Sequence, residues 1–351
     1  MRKRTELHIV TKLGLCVVGW AALAGRLSVA EDAEPEPPLG LPPVYFPEDN
    51  PYTKAKAELG RLLYYDKRLS SDATVSCATC HSPQFGFTDG APVSTGIGGQ
   101  KGGRSAPTVI NRAYSLHQFW DGRAPTLEAQ AVGPIANPIE MTNEQDPKRA
   151  HLTRVNALKR VPGYAKRFES VFGTDDFSIE HVGQAIATFE RTVLSGNAPF
   201  DRFKAGSKQA MSASQMRGMN LFFKKTACDS CHLGFNFTDG SYVNIGIGMD
   251  RPNPDLGRFV VSKRAEDKGA FKTPTLRDIE HTGPYMHDGR FKTLEEVVEH
   301  YDKGGIQNPQ LDPRLKPLKL SAQEKQDLIA FLKALSGEGW QHLGPPKSFP
   351  K

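Results

Sequence analysis

Two pentapeptides, Cys77-Ala78-Thr79-Cys80-His81 and Cys228-Asp229-Ser230-Cys231-His232, share a pattern found nowhere else in the 351 residues. Two thiols three positions apart, with a histidine directly after the second, form the attachment signature of a c-type haem. The thiols add across the vinyl groups and the imidazole takes the proximal position on the iron. Two copies imply two covalently bound haems c, attached through Cys77, Cys80, Cys228 and Cys231 and ligated by His81 and His232. A redox dithiol needs no following histidine, and a zinc site split between distant halves would not place one after both pairs.

The surroundings of the two motifs repeat as well. Gly60-Arg61-Leu62-Leu63-Tyr64-Tyr65 before the first is echoed by Gly218-Met219-Asn220-Leu221-Phe222-Phe223 before the second. Phe85-Gly86-Phe87-Thr88-Asp89-Gly90 is echoed by Phe235-Asn236-Phe237-Thr238-Asp239-Gly240. Further on, Ala106-Pro107-Thr108 leads to Trp120-Asp121-Gly122-Arg123, as Thr273-Pro274-Thr275 leads to His287-Asp288-Gly289-Arg290, with thirteen positions from proline to Trp or His each time. Self-similarity over this length reads as internal duplication.

The expected fold is therefore mainly α: two cytochrome c-like haem domains, residues 51–205 and 206–351, with long Gly- and Pro-rich loops around the macrocycles. Residues 31–50 read as an extended Pro-rich lead-in. A helix is predicted soon after Pro51. Ile179 to Leu194 carries Val182, Ile186, Phe189 and Val193 on one face, the pattern of a packed scaffold helix. Ser321, with Glu324 three residues later, predicts a capped helix running to Leu335. The end beyond Gly337, which includes Trp340, is expected to be irregular.

Met1-Arg2-Lys3-Arg4, the apolar run Leu13 to Gly25 and the small residues Ser28-Val29-Ala30 make residues 1–30 an export signal cleaved near Ala30, which places the protein in the periplasm. Cys16 leaves with that segment, so all four remaining cysteines belong to the haem motifs and none is free for a structural disulfide. Arg2, Lys3, Arg4, Lys12 and Arg26 against Glu6 carry +4 of the net +6. The mature chain is thus nearly balanced, with no signature of a nucleic-acid or membrane-surface binder.

The duplication is most informative where it breaks. A six-coordinate haem carries electrons, whereas a five-coordinate one leaves the iron open to a small molecule. Tyr301 lies fourteen positions beyond His287, and its phenolate is a ligand for ferric iron; the matching position in the first half is Pro134, which has none to offer. The first haem is then the open, reactive one and the second is closed by Tyr301. Met286, Met249 and His300 are the rival ligands for the second iron.

These residues resemble the bacterial diheme cytochrome c peroxidases, and more closely their MauG-type relatives, including the methanobactin-associated homologues. The likeness rests on both haem motifs, Phe119-Trp120-Asp121-Gly122-Arg123, Asn137-Pro138-Ile139-Glu140-Met141 and Tyr285-Met286-His287-Asp288-Gly289. In family members that need reductive activation, a histidine in a Thr-Gly-His-Gly-like stretch caps the first haem; here it reads Thr95-Gly96-Ile97-Gly98. Those peroxidases use methionine on the second haem where Tyr301 aligns, and tyrosine is the MauG-type choice. The resemblance further implies that Glu140 moves a proton between the oxygens of peroxide, that Gln130 orients it, that Pro134 shapes an open pocket and that Trp120 relays electrons between the haems. It implies a calcium ion between them, on the Thr282 and Pro284 carbonyls and Ser105, which stands where the family has asparagine.

The leading expectation is an exported enzyme that uses hydrogen peroxide to reach a high-valent diheme state and oxidises tryptophan or tyrosine on a periplasmic partner protein. A constitutively active peroxidase, drawing electrons from a small redox protein, is the alternative, and Tyr301 weighs against its need for an easily reduced second haem. A diheme carrier without catalysis is disfavoured by Ile97 and Pro134, since a carrier gains nothing from an open iron.

Overall fold

The computed structural model describes residues 32–351; the export segment read over residues 1–30 lies outside them. Among the described residues the regular elements are almost all helical: α1 (Lys54–Tyr65), α2 (Cys77–Cys80), α3 (Leu127–Val132), α4 (Pro147–Lys159), α5 (Pro162–Phe172), α6 (Ile179–Glu190), α7 (Pro199–Lys204), α8 (Ala213–Asn220), α9 (Phe259–Ser262), α10 (Leu294–Asp302) and α11 (Ala322–Lys333). One two-residue antiparallel ribbon, β1 (Tyr242–Val243) with β2 (Phe271–Lys272), is the exception. The mainly α expectation is met, and no helix here is long and apolar enough to cross a membrane.

Each half is built on one close helix pair. Thr53 caps α1 by accepting from Lys56 N at 3.1 Å, and Leu59, Leu62 and Leu63 recur at helical spacing on the face buried against α6. In α6, Val182, Ala185, Ile186 and Phe189 supply the matching face. In the second half α8 packs on α11, which buries Leu328, Phe331 and Leu332. The predicted capping box is present at its start: Ser321 Oγ accepts from Glu324 N at 3.2 Å, and the Glu324 carboxylate accepts from Ser321 N at 2.9 Å. Both pairs meet at a glycine, where a Cβ on Gly60 would overlap the Ala185 carbonyl and one on Gly218 the Asp327 carbonyl. Gly218→Ala is therefore expected to force α8 off α11 and lower stability by about 1–3 kcal/mol, as overpacking does. Chemical denaturation checks it, and unchanged stability would contradict the contact.

The same local geometry recurs at matched positions of the halves. Phe87 and Phe237 both take positive φ (58° and 50°), as do Asn111 and Asp278 (58° and 56°), and Phe119 and Met286 (66° and 76°). Thr108 Oγ1 donates to Gly86 O at 2.6 Å, and Thr275 Oγ1 to Asn236 O at 2.7 Å. Such outlying backbone positions are uncommon for side chains of this size.

Two cores follow. The first gathers α1, α5 and α6 side chains with Phe87 and Ile97, and the second gathers Phe222, Phe237 and the buried faces of α10 and α11. Beside the second core, buried Asp201 of α7 accepts a two-pronged ion pair from buried Arg277, which lies over the Phe237 ring, at 2.8 and 2.9 Å. The tail is irregular, as expected, but it does not stay with the second half. Trp340 is buried in the first core, and the Leu343 and Gly344 carbonyls accept from Tyr65 and Arg61 of α1.

Candidate haem sites

The thiols of the first motif lie on α2, and His81 ends it. The His81 Nδ1 is 3.3 Å from Phe87 O, and the His232 Nδ1 is 3.0 Å from Phe237 O. A carbonyl only accepts, so in both rings Nδ1 carries the proton and Nε2 keeps the lone pair a metal requires. Burial lowers the proton affinity of both imidazoles, holding them in that neutral form. Burial also pushes the thiols up, Cys80 and Cys228 each to about 11. The Tyr64 hydroxyl donates to His81 O at 2.8 Å and fixes the end of the first motif to α1.

In the second half Cys228, Cys231 and His232 open onto a cavity of about 610 Å³, within the size range of cofactor sites. Its walls are mostly apolar, from Leu276, Ile279, Val298 and Leu328 among others. Tyr301, on α10, lines this cavity; burial first, then the Cys228 and Cys231 thiols, push its hydroxyl well above the usual tyrosine range. Two of the three rivals do not line the cavity. His300 gives its Nε2 to Ile245 O at 3.1 Å, and the Met249 sulfur lies against Gly269. Met286 lines the cavity beside Tyr301.

Two cations that sequence reading passed over line the same cavity. Lys272 is 7% exposed and Arg112 8%. Burial, and then Arg112 itself, drives Lys272 well below the ordinary lysine range. Burial lowers Arg112 to about 10, although Glu190 pulls it up, and that buried carboxyl is itself raised to about 8. A lysine in a two-residue ribbon carries no sequence mark of such a place. A carboxylate entering the cavity would relieve both charges, which suits the propionates of a haem.

Trp120 also lines this cavity and is held by both halves. Its Nε1 donates to Ser105 O at 2.9 Å, its carbonyl accepts from Lys272 N at 2.8 Å, and Ser105 N donates to His287 O at 2.7 Å. Ser105, Thr282 and Pro284 also line this cavity.

Ile97 lies in the Thr95-Gly96-Ile97-Gly98 stretch that the resemblance singled out. It is 1% exposed and packs in the first core. Its amide donates to Glu140 O at 3.1 Å, and a Cβ on Gly96 would overlap the Ile139 carbonyl, so this loop seats the Glu140 segment. Asn137 Nδ2 donates to Glu140 Oε1 at 2.6 Å. Burial raises the Glu140 carboxyl above the ordinary range, opposed by Arg123 and Asn137; the Arg123 guanidinium stacks over Phe119 at 3.5 Å. Gln130 lies in α3, capped by Thr126, and Pro134 opens the single 3-10 turn directly after it.

Both sites fit a covalent haem: paired thiols, a neutral histidine with its free nitrogen defined, and in the second half an apolar cavity with two buried basic side chains. The comparisons agree. The family model described as di-haem cytochrome c peroxidase matches residues 54–209. The methylamine utilization protein MauG of Methylorubrum extorquens is 44% identical over 295 residues, 83% of this chain and 81% of that protein. The cytochrome c551 peroxidase of Nitrosomonas europaea is 37% identical over 340 residues, 96% and 93% of the two chains. A solved MauG-like protein associated with microbial copper homeostasis superposes with a TM-score of 0.80 at 32% identity, covering 87% of this chain and 95% of that one.

Proposed function

Since the chain belongs to the di-haem cytochrome c peroxidase family, whose members are peroxide-dependent oxidoreductases with two haems c, we propose that it is a MauG-type member. In this reading it is exported to the periplasm and turns hydrogen peroxide into two oxidising equivalents that are spent on tryptophan or tyrosine of a partner protein. The product would be a crosslinked cofactor such as tryptophan tryptophylquinone, or a tryptophan opened to kynurenine. The observation that carries the reading is the asymmetry of the halves: Tyr301 faces the second cavity, while the apolar, buried Ile97 stands where a capping histidine would close the first site.

When bound, the haems supply the irons that take up the oxidising equivalents of peroxide. Cys77 and Cys80 with His81, and Cys228 and Cys231 with His232, would hold them; Tyr301 would ligate the second iron, and Arg112 and Lys272 would offset the charge of that group's carboxylates. Glu140 would take a proton from one oxygen of peroxide and return it to the other, which prepares the O–O bond to break with water as the leaving group. Its raised proton affinity suits both steps, and Asn137 fixes the carboxylate's direction. Gln130 orients the peroxide by hydrogen bonding. Pro134 shapes the pocket and leaves it open. Trp120, clamped to both halves by Ser105 and Lys272, carries electrons between the sites, and Ser105, Thr282 and Pro284 hold calcium beside it.

The likeness to cytochrome c551 peroxidase favours a second reading, a constitutively active peroxidase fed by a small redox protein. Stopped-flow spectroscopy of the diferric holoenzyme with peroxide separates the two. A long-lived doubly oxidised state with a near-infrared charge-resonance band is expected; rapid turnover with reduced cytochrome c and no such band would replace the first reading by the second.

A further inference from the structure

Trp340 sits in the tail but packs in the first core, in T-shaped contact with Phe87 at 6.1 Å. Phe87 is the residue whose carbonyl holds His81 Nδ1. On its other side the indole lies 6.1 Å, ring to ring, from exposed His281. The Trp340 Nε1 donates to Asp278 Oδ1 at 3.1 Å, and Gly337 N donates to the same oxygen at 3.2 Å. Asp278 is 0% exposed, and the Ser195 hydroxyl also lies against its carboxylate.

The matched position in the first half shows what a purely structural residue does at this point. Asn111 has the same positive φ and is buried, and its neutral amide exchanges two hydrogen bonds with Ser195, at 3.0 and 2.9 Å. An amide is enough to pin the chain there. Asp278 instead brings a carboxyl group, which is costly to bury and which the donors Trp340 Nε1 and Gly337 N, with the Ser195 hydroxyl, would meet as well on a neutral amide oxygen. The side chain that profits from a negative group at this point is the indole, whose N–H faces it.

We infer that Trp340 is a redox relay on the proximal side of the first haem site, an indole that yields one electron to the peroxide-oxidised enzyme while Asp278 stabilises the cation left behind. The inference rests on the reading of Cys77, Cys80 and His81 as a haem site and of peroxide as oxidant. One electron leaves the indole and reduces the oxidised centre by one equivalent, and no bond to carbon forms or breaks. The Nε1 proton, made acidic by the loss, stays in the hydrogen bond to Asp278 Oδ1, whose proton affinity burial has raised. An electron from the partner protein, arriving by way of the His281 surface, refills the indole. Trp340 thereby gives the first site an exit separate from Trp120.

The test is electron paramagnetic resonance of holoenzyme frozen after peroxide, grown with ring-deuterated tryptophan, while peroxide consumption is followed in parallel. The described chain holds only Trp120 and Trp340, so a radical that narrows on deuteration belongs to one of them. The signal is expected to survive in Trp120→Phe, to vanish in Trp340→Phe, which keeps a ring against Phe87, and to fall about tenfold in Asp278→Asn, with peroxide still consumed in the Trp340 and Asp278 variants. A tryptophan signal unchanged in Trp340→Phe, or none in the unaltered enzyme while peroxide is consumed, overturns the relay and leaves the haem reading intact. A holoenzyme that does not consume peroxide overturns both.

Discussion

Glu140→Gln slows the reaction of the diferric holoenzyme with peroxide by about 10²–10⁴-fold, the span that a positioned general acid–base contributes. The amide keeps the size of the side chain and can still meet Asn137, so the loss reads proton transfer rather than shape. Working as a base, Glu140 must be ionised. Burial has raised its carboxyl, so the unaltered enzyme loses rate as the pH falls through that raised value, earlier than an exposed glutamate would cause. In the glutamine variant this acidic limb disappears together with the rate. Stopped-flow rates across pH check both, and a variant that keeps the full rate with the same limb would remove Glu140 from the chemistry.

Tyr301→His has the second large effect. Histidine still offers a sixth ligand, so both haems stay attached and the second stays six-coordinate, but the ligand is now neutral. A unit charge at about 4 Å is worth about 4 kcal/mol at an effective dielectric of 20, which is about a thousandfold in an equilibrium. The long-lived doubly oxidised state is expected to vanish on that account while the first site still binds peroxide. Persistence of the near-infrared band in this variant would mean that Tyr301 is not the ligand, and Met286, which shares the cavity, would take its place.

The parts of the site that were legible in the sequence are those encoded locally. C-x-x-C-H is a contiguous pattern, and the glycine that lets α8 approach α11 repeats the one that lets α1 approach α6. The contrast between Tyr301 and Pro134 was visible because the halves can be laid on each other. What escaped depends on contacts between distant segments. Lys272 reads as one more surface lysine until β1 and β2 pair and the cavity closes around it. Trp340 belongs to a Gly- and Pro-containing tail that predicts nothing but loop, yet the chain returns across α1 and buries the indole in the other half's core. Equally, the sequence put Tyr301 ahead of His300 and Met249 only by comparing the halves; the hydrogen bond of His300 to Ile245 and the packing of Met249 on Gly269 appear only in the folded chain.

The unlikeness of the two irons is tested most directly by low-temperature electron paramagnetic resonance of the resting diferric holoenzyme, before any oxidant is added. One high-spin ferric signal from the first haem and one low-spin signal from the second are expected, the latter altered in Tyr301→Phe. Two low-spin signals, or a second haem whose ligation is by sulfur and indifferent to Tyr301, would contradict the account.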